Sequence, residues 1–218
     1  EAAATTEISR TPTIEKKPSC LVLTGSSGAP GRTLLGLALA KLSKSGRFID
    51  ADMRTIPVTS YLHESESRFE IERPSFGESY RSSSKETLID LGVLQPLSEV
   101  VNDRRWFARY TNEIFDHATR ILYICKDSKQ SLMELNQFIS EFPLLLKDIP
   151  ITFICITSRQ GKEYRIATEG FRKIIGQHEG FLLRHSALLP ASSLFPSKSE
   201  AKKPSKEIGS IATSVLMS

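Results

Sequence analysis

The sequence predicts an α/β domain of three layers, in which helices cover both faces of a mainly parallel sheet. Short apolar runs alternate with amphipathic segments of helical length, which is the pattern of repeated βαβ units. Of the 218 residues, 39% are hydrophobic and 25% are charged, and this composition excludes wholesale disorder. No apolar run approaches the roughly 18 residues that a membrane-spanning helix requires. We therefore expect one folded domain with short appendages.

The first part of the chain predicts a leader followed by a strand, a helix and a second strand. Residues 1–18 contain few apolar side chains and two prolines, and we interpret them as a flexible leader or linker before a domain at 19–218. Cys20–Thr24 is a short apolar run typical of a strand. Thr33–Ser43 predicts a helix that is apolar on most sides, as expected for a helix that covers a sheet. Arg47–Asp52 is the second predicted strand.

The remaining elements follow a polar interruption. The stretch 53–84 is rich in Ser, Glu and Arg and has weak periodicity, which predicts loops with at most one short helix or strand. Further strands are predicted at Glu86–Leu91, Arg120–Cys125, Ile149–Thr157 and Phe181–Leu183. Further helices are predicted at Arg104–His117, Ser131–Phe142, Tyr164–Ile175 and Lys206–Leu216. We expect the last helix to pack on the domain, because it lacks the aromatic and Lys-rich features of an interfacial anchor.

Cysteine, histidine and charge content narrow the range of functions. Cys20, Cys125 and Cys155 each lie in or against an apolar run without paired or metal-like spacing, which predicts buried thiols and a reducing compartment. The four histidines are scattered without ligand-like spacing. The formal net charge is +4 at pH 7, which does not by itself imply a nucleic-acid partner.

The segment Thr24–Thr33 (TGSSGAPGRT) lies between the first predicted strand and the first predicted helix. Backbone N–H groups and a helix N-terminus converge at such a turn, and together they can bind phosphate. The usual phosphate-binding loop reads G-x-x-x-x-G-K-S/T. Here Ser26 replaces the first Gly, Gly31 keeps the second, Arg32 replaces Lys, and the final residue keeps the metal-binding hydroxyl.

Two interpretations of this turn stay open on the residues alone. It is either a plain glycine-rich turn without a ligand or a phosphate site, in which the planar guanidinium of Arg32 makes bidentate contacts. Asp90 lies in an apolar run at the predicted carboxyl edge of the sheet, where open α/β sheets bind ligands. Asp50 and Asp52 are either solvated residues at a strand end or part of the same site.

Four segments in this order resemble the ParA/MinD group of nucleotide-binding proteins. SSGAPGRT (26–33) is similar to the deviant Walker A motif of that group, K-G-G-x-G-K-S/T, and closer to the GAPGRT variant of CpaE-like and septum-site-determining-like proteins. FIDAD (48–52) resembles the I-D-A-D segment, TLIDLG (87–92) the Walker B strand, and RRWFARYT (104–111) the helix start that follows it. The resemblance runs from residue 20 to about 195 and implies a three-layer P-loop NTPase-like domain.

The resemblance implies roles for individual residues. The nucleotide phosphates of ATP would be surrounded by the turn residues Ser27, Gly28, Ala29, Pro30, Gly31, Arg32 and Thr33. Mg²⁺ would be held by Thr33, Asp50 and Asp90, with Asp90 acting through the water shell of the metal. Asp52 would be the catalytic residue that orients the attacking water.

Two departures from the group's pattern bear on activity. Ser27 stands where the group carries its signature lysine, which reaches across a dimer to the partner's phosphates, and a serine has no charge to supply there. Ser158 stands where many relatives carry an Asn that reads the adenine. The departures at Ser26, Ser27 and Arg32 favour a degenerate relative, whereas the retained acidic residues favour a slow ATPase.

The resemblance therefore implies a protein of spatial organisation that serves pilus assembly, division-site placement or partition, and that binds Mg-ATP with slow or no hydrolysis. The alternative is a nucleotide-independent scaffold or localisation protein on the same fold. A small-molecule kinase or synthetase is a third class, which the polar segment 53–84 leaves open. We expect protein partners of a positioning or assembly system, leave a homodimer open, and argue for no nucleic acid. The expected location is cytoplasmic, with membrane association only peripheral and through a partner.

Overall fold

The computed structural model describes residues 19–29, 31–43, 46–55, 57–58, 70–83, 85–94, 96–102, 105–142, 146, 148–192 and 206–216. Its strands are β1 (Cys20–Gly25), β2 (Arg47–Asp50), β3 (Glu70–Glu72), β4 (Thr87–Val93), β5 (Arg120–Lys126), β6 (Ile151–Thr157) and β7 (Gly180–Arg184). Its helices are α1 (Arg32–Leu42), α2 (Leu97–Asn102), α3 (Trp106–His117), α4 (Lys129–Glu141), α5 (Gly161–Ile175), α6 (His185–Ser192) and α7 (Lys206–Leu216).

The seven strands within these ranges form one sheet in the order β3-β2-β4-β1-β5-β6-β7. Each neighbouring pair is parallel, so the predicted mainly parallel sheet is confirmed. Parallel strands bring all their carboxyl ends to the same edge. Asp50, the last residue of β2, lies directly opposite Asp90 of β4 near this edge, and β4 continues to Val93.

Helices cover both faces of the sheet and complete the predicted three layers. On one face, the core joins Leu35 of α1 with Leu188 of α6 and Ile211 of α7. On the other face, the core includes Ile114 of α3 and Phe171 of α5. Because the helices after β1 and β4 lie on opposite faces, the carboxyl edge between them is the crevice where α/β sheets bind ligands.

Helix α1 is buried on nearly all sides because it lies between the sheet and the helices α6 and α7. A Cβ at Gly36 would come within 3.0 Å of the Phe48 ring, so the missing side chain permits close packing on the sheet. This sandwiched position explains why the predicted helix is apolar on most sides. The first turn of α1, which carries Arg32 and Thr33, is thereby fixed relative to the sheet.

Several predicted boundaries need correction. Strand β2 ends at Asp50, so Asp52 lies in the loop beyond it rather than in the strand. Helix α4 begins before the predicted start at residue 131, because the Ser128 hydroxyl accepts the N–H of Ser131 and caps the helix. The short helices α2 and α6 were not predicted, whereas β3 lies in the described part of 53–84, where one short helix or strand was expected.

Other predictions are confirmed or fall outside the described residues. The three cysteines are buried thiols, and the last helix packs on the domain through Ile208 and Ile211. No helix in the described part of the chain is long and apolar enough to cross a membrane. The predicted leader at 1–18, Pro30 and Arg104 lie outside the described residues.

Candidate functional site

The turn between β1 and α1 depends on two glycines that permit close approach. A Cβ at Gly25 would lie 1.9 Å from the carbonyl oxygen of Ile124, so only glycine allows the end of β1 to pass β5. Gly31 precedes α1 with φ +75°, and a Cβ there would lie 2.4 Å from Leu188 Cδ1. The first N–H groups of a helix point toward its N-terminus, and no side chain of the described residues caps those of α1, so they face this turn, as in an anion site.

A buried ion network lies directly behind the turn. The Arg32 guanidinium donates through Nε to Asp90 Oδ1 at 2.7 Å and through Nη2 to Asp52 Oδ2 at 2.5 Å. The Arg32 side chain is 7% exposed, against 4% for Asp52 and 0% for Asp90. The Thr33 hydroxyl donates to the second oxygen of Asp90 at 2.7 Å. Because the network is buried and charge-assisted, removing any one of its side chains would leave an unpaired buried charge and strongly destabilise the fold.

The end of β4 supports this network through a glycine. Gly92 has φ +77°, and its N–H donates to Asp90 Oδ1 at 3.0 Å. A Cβ at Gly92 would lie 2.5 Å from Asp52 Cγ, so the space beside this glycine is occupied by the Asp52 carboxylate. The glycine of the TLIDLG segment therefore shapes the site as much as its aspartate does.

Asp50 is buried beside the network but has different partners. Its Oδ2 accepts the N–H of Val58 at 2.9 Å and Nη1 of Arg73 at 3.2 Å. Its Oδ1 is buried and has no hydrogen-bond partner within the described residues. Burial raises the pKa of Asp50, and the charges of Asp90 and Asp52 add to this effect, while Val58 and Arg73 oppose it.

Arg73 is a site residue that the sequence reasoning missed. Besides Asp50, its guanidinium donates to the carbonyl oxygens of Asp52 at 3.3 Å and Thr55 at 3.1 Å. Arg73 therefore holds the loop that follows β2 against the carboxyl edge. No sequence signal identifies it, because it is one arginine in a polar stretch without periodicity.

Helix α4 is attached to the turn by side chains that the sequence also did not reveal. Ser27 donates its N–H and its hydroxyl to the two oxygens of Glu134, at 2.7 and 2.5 Å. Gln130 donates to the same carboxylate at 3.1 Å, and the hydroxyls of Ser26 and Ser131 are in contact. An acidic side chain thus faces the position where the resembling group carries its signature lysine.

The predicted site residues are therefore brought together only in part. Thr33 and Asp90 are in contact, whereas Asp50 bonds to the loop beyond β2. Gly28 has φ +66° with open space around it, and the N–H of Ala29 donates to Ser26 within the turn at 3.4 Å. The described residues contain no cluster of three or more His, Cys, Asp and Glu that could hold a metal ion by themselves.

The charges of the site determine which ligands it can accept. Two arginines, Arg32 and Arg73, face the three carboxylates of Asp50, Asp52 and Asp90, so the ionised cluster carries a net negative charge. A triphosphate alone would be repelled. A metal held by the Thr33 hydroxyl and the water shell of Asp90 would offset this repulsion, and the uncapped start of α1 would receive phosphate oxygens. The residues present therefore fit a Mg-nucleotide, provided that Arg32 leaves at least one carboxylate.

Comparison with solved structures places the chain among proteins of one fold. It is similar to a ParA family ATPase from Chlorobium tepidum, with 15% identity, a TM-score of 0.56, and coverage of 90% of this chain and 99% of that one. The fold is that of the ParA/MinD ATPases.

Two further structures support this assignment. A candidate plasmid partition protein from Borrelia burgdorferi B31 bound to AMPPNP gives a TM-score of 0.59 at 13% identity, covering 93% of this chain and 99% of that one. The MinC:MinD cell division complex of Aquifex aeolicus gives a TM-score of 0.57 at 14% identity, covering 92% of this chain and 96% of that one. No family model and no curated protein matches the sequence significantly.

Proposed function

We propose that this chain is a nucleotide-binding protein of spatial organisation, close to the CpaE-like branch of the ParA/MinD group. Division-site placement, partition and pilus assembly are the processes it would serve. One observation carries the proposal: the hydroxyl of Thr33 contacts the carboxylate of Asp90 at the uncapped start of α1. A hydroxyl and a carboxylate in this arrangement are what Mg²⁺ requires beside a phosphate turn. The AMPPNP bound to the Borrelia protein of the same fold supports nucleotide as the ligand.

Binding would require Arg32 to exchange partners. In the structure its guanidinium contacts Asp52 and Asp90, and these carboxylates would be taken over by the metal and its water shell. The guanidinium would then contact the phosphates, for which its planar geometry is suited. This exchange keeps every charge paired, which is the condition for moving charges in a buried site.

Hydrolysis would be slow or absent for two reasons. Asp52, the proposed catalytic residue, accepts the N–H of Arg54 on one oxygen, and its other oxygen, which Arg32 contacts in the structure, would face the water shell of the metal after the exchange, so neither oxygen is free to orient an attacking water. Ser27 supplies no cation to the phosphates, and a trans-acting cation can contribute ~10³–10⁵ in phosphoryl-transfer rate. We expect phosphate release well below the ~1–100 s⁻¹ typical of kinases.

The second candidate function is a nucleotide-independent scaffold on the same fold. The observation that favours it is the completeness of the Arg32 pairing, in which one guanidinium already neutralises two buried carboxylates. In that case the arginine replaces the metal and phosphate as a permanent part of the core. Protein partners fit both candidates, and the MinC:MinD complex is an example of a partner on this fold.

Calorimetric titration separates the two candidates. Mg-ATP and Mg-ADP are titrated into the wild type and into Thr33→Val, which removes the metal-binding hydroxyl at nearly constant volume. The matched control is Thr168→Val on α5, whose hydroxyl donates within its own helix. The proposal requires saturable binding that Thr33→Val weakens at least about tenfold and the control does not, as for a charge-assisted hydrogen bond. Absence of binding at millimolar nucleotide would support the scaffold.

Nucleotide-dependent dimerisation is a separate part of the proposal. We expect none in the wild type, because opposed triphosphates repel and the lysine position holds Ser27. The substitution Ser27→Lys alone would pair with Glu134, so the informative variant is Ser27→Lys with Glu134→Gln. Sedimentation with and without Mg-ATP should show ATP-dependent association in the double variant and not in Glu134→Gln alone. A wild type that dimerises on ATP would contradict this part.

A further inference from the structure

A cavity lies at the carboxyl edge of the sheet, beside the proposed nucleotide site but lined by residues that have no role in that site. Its volume is about 390 Å³, which is within the range of small-molecule sites. It is bounded by the end of β4, the loop residues Met53 and Arg54, the turn at Phe76, and the first half of α3. Most of its wall is apolar, with contributions from Leu91, Val100, Trp106 and Phe107.

One polar group that lines the cavity lacks a hydrogen-bond partner within the described residues. Thr111 lines the cavity and is only 2% exposed, and its hydroxyl has no hydrogen-bond partner within the described residues. A buried hydroxyl without a partner is unfavourable by roughly 1–3 kcal/mol. Such a group among apolar walls indicates a ligand that brings its own oxygen or N–H to this point.

Two exposed arginines, Arg54 and Arg105, also line the cavity, and its described lining contains no acidic side chain. The Arg54 guanidinium donates to the carbonyl oxygen of Val93 through Nη2, and its other N–H groups are further donors. An anionic group would therefore be attracted to the arginines, while an uncharged body contacts the apolar wall. The lining thus combines two exposed arginines, a mostly apolar wall and the buried Thr111 hydroxyl.

We propose that this cavity binds a small aromatic hydroxy acid. The carboxylate pairs with Arg54 and Arg105, the ring contacts Trp106 and Phe107, and the hydroxyl at the far end exchanges a hydrogen bond with Thr111. The site is independent of the phosphate turn in its residues. It is nevertheless adjacent, because the N–H of Arg54 donates to Asp52 Oδ1 at 3.1 Å.

The probe for this proposal is 3-(4-hydroxyphenyl)propionate, compared with two matched compounds. 3-Phenylpropionate lacks the hydroxyl, and 3-(4-hydroxyphenyl)propanamide lacks the charge. Binding is measured by calorimetry and by the fluorescence of Trp106, which is the chain's single tryptophan and lines the cavity. The hydroxy acid should bind about fivefold more tightly than 3-phenylpropionate and at least about tenfold more tightly than the amide.

Variants assign these differences to the residues. Thr111→Val should make the two acids bind equally, and Arg54→Gln with Arg105→Gln should make the acid and the amide bind equally. Ala108→Leu should abolish binding, because Ala108 lines the cavity and is 6% exposed. The control Arg109→Gln changes an exposed arginine of the same helix that pairs with Glu113 outside the cavity, and it should leave all affinities unchanged.

Several outcomes would overturn the proposal. One is equal binding of the acid and the amide to the wild type. Another is a preference for the hydroxyl that persists in Thr111→Val. A third is a Trp106 signal that changes with protein concentration in the absence of probe while sedimentation shows a dimer, because a second copy of the chain would then cover the cavity. Since Thr33→Val leaves this cavity intact, failure of nucleotide binding would not affect the result.

Discussion

Both edges of the sheet carry arginine–carboxylate pairs, but the pairs differ strongly in how deeply they are buried. At the carboxyl edge, Arg32 pairs with Asp52 and Asp90 in nearly complete burial. At the amino edge, Glu179 accepts Arg120 and Thr152 with side-chain exposures of 40% for the glutamate and 16% for the arginine. Water reaches the second group and not the first. Charged groups concentrated in such burial are typical of a functional site.

The titration of one carboxylate at each edge shows the same difference. Burial raises the pKa of Asp50 at the carboxyl edge, where one of its oxygens has no partner. At the amino edge, burial alone would raise the pKa of Glu179, but hydrogen bonds from Ser214 and Thr152 and the charge of Arg120 outweigh it and lower the pKa. Hydrogen bonds and nearby positive charge therefore outweigh the effect of burial on the pKa of Glu179 at the amino edge, but not on the pKa of Asp50 at the carboxyl edge.

The largest expected effect comes from removing the arginine of the buried network. Arg32→Met leaves Asp52 and Asp90 buried without a cation and should reduce the free energy of unfolding by about 3–5 kcal/mol. Arg120→Met at the amino edge removes a cation from a half-exposed carboxylate and should cost no more than about 1 kcal/mol. Urea unfolding of both variants at neutral pH measures the difference. Equal losses would show that burial does not distinguish the two edges.

The sequence predicted most of the fold because parallel strands buried on both faces are nearly continuous apolar runs. Arg120–Cys125 and Ile149–Thr157 stand out for this reason, and β5 and β6 lie within two residues of them at each end. Helices α2 and α6 are short, follow or contain a proline, and have too few turns for periodicity to appear. Their position depends on packing against distant elements, which composition does not encode.

The sequence predicted those residues of the candidate site that lie on or directly after predicted strands. Thr33 and Asp90 come directly from the turn after β1 and the end of β4, and the structure places them in contact. Glu134 and Arg73 could not be found, because Glu134 reaches Ser27 across 107 positions of sequence. The partners of Arg32 were also not predicted, since phosphate and aspartate are equally suited to a guanidinium.

A glycine at the carboxyl edge gives the next largest effect. Gly92→Ala places a Cβ 2.5 Å from Asp52 Cγ and also introduces a side chain at φ +77°. We expect a loss of about 2–4 kcal/mol, from backbone strain of about 1–2 kcal/mol together with displacement of the buried carboxylate. The control is Gly77→Ala, which has φ +90° and open space, and should lose only the strain. Both variants are compared by thermal unfolding. Equal losses of stability would show that displacement of the Asp52 carboxylate does not contribute.

The smallest effect is in the pH dependence, and it has opposite signs at the two edges. Because the pKa of Asp50 is raised by folding, wild-type stability falls as pH rises from about 4, the unfolded-state value, through the folded pKa. Asp50→Asn removes this loss, so the variant should gain stability relative to wild type as pH rises.

The pKa of Glu179 is lowered, so its contribution is present above its unfolded-state pKa of about 4 and is lost as pH falls through the folded value. Glu179→Gln should therefore lose stability relative to wild type as pH rises. Urea titrations of the three proteins from about pH 3 to 7 compare the slopes directly, and slopes of the same sign would mean that the two edges do not differ in how they accommodate charge.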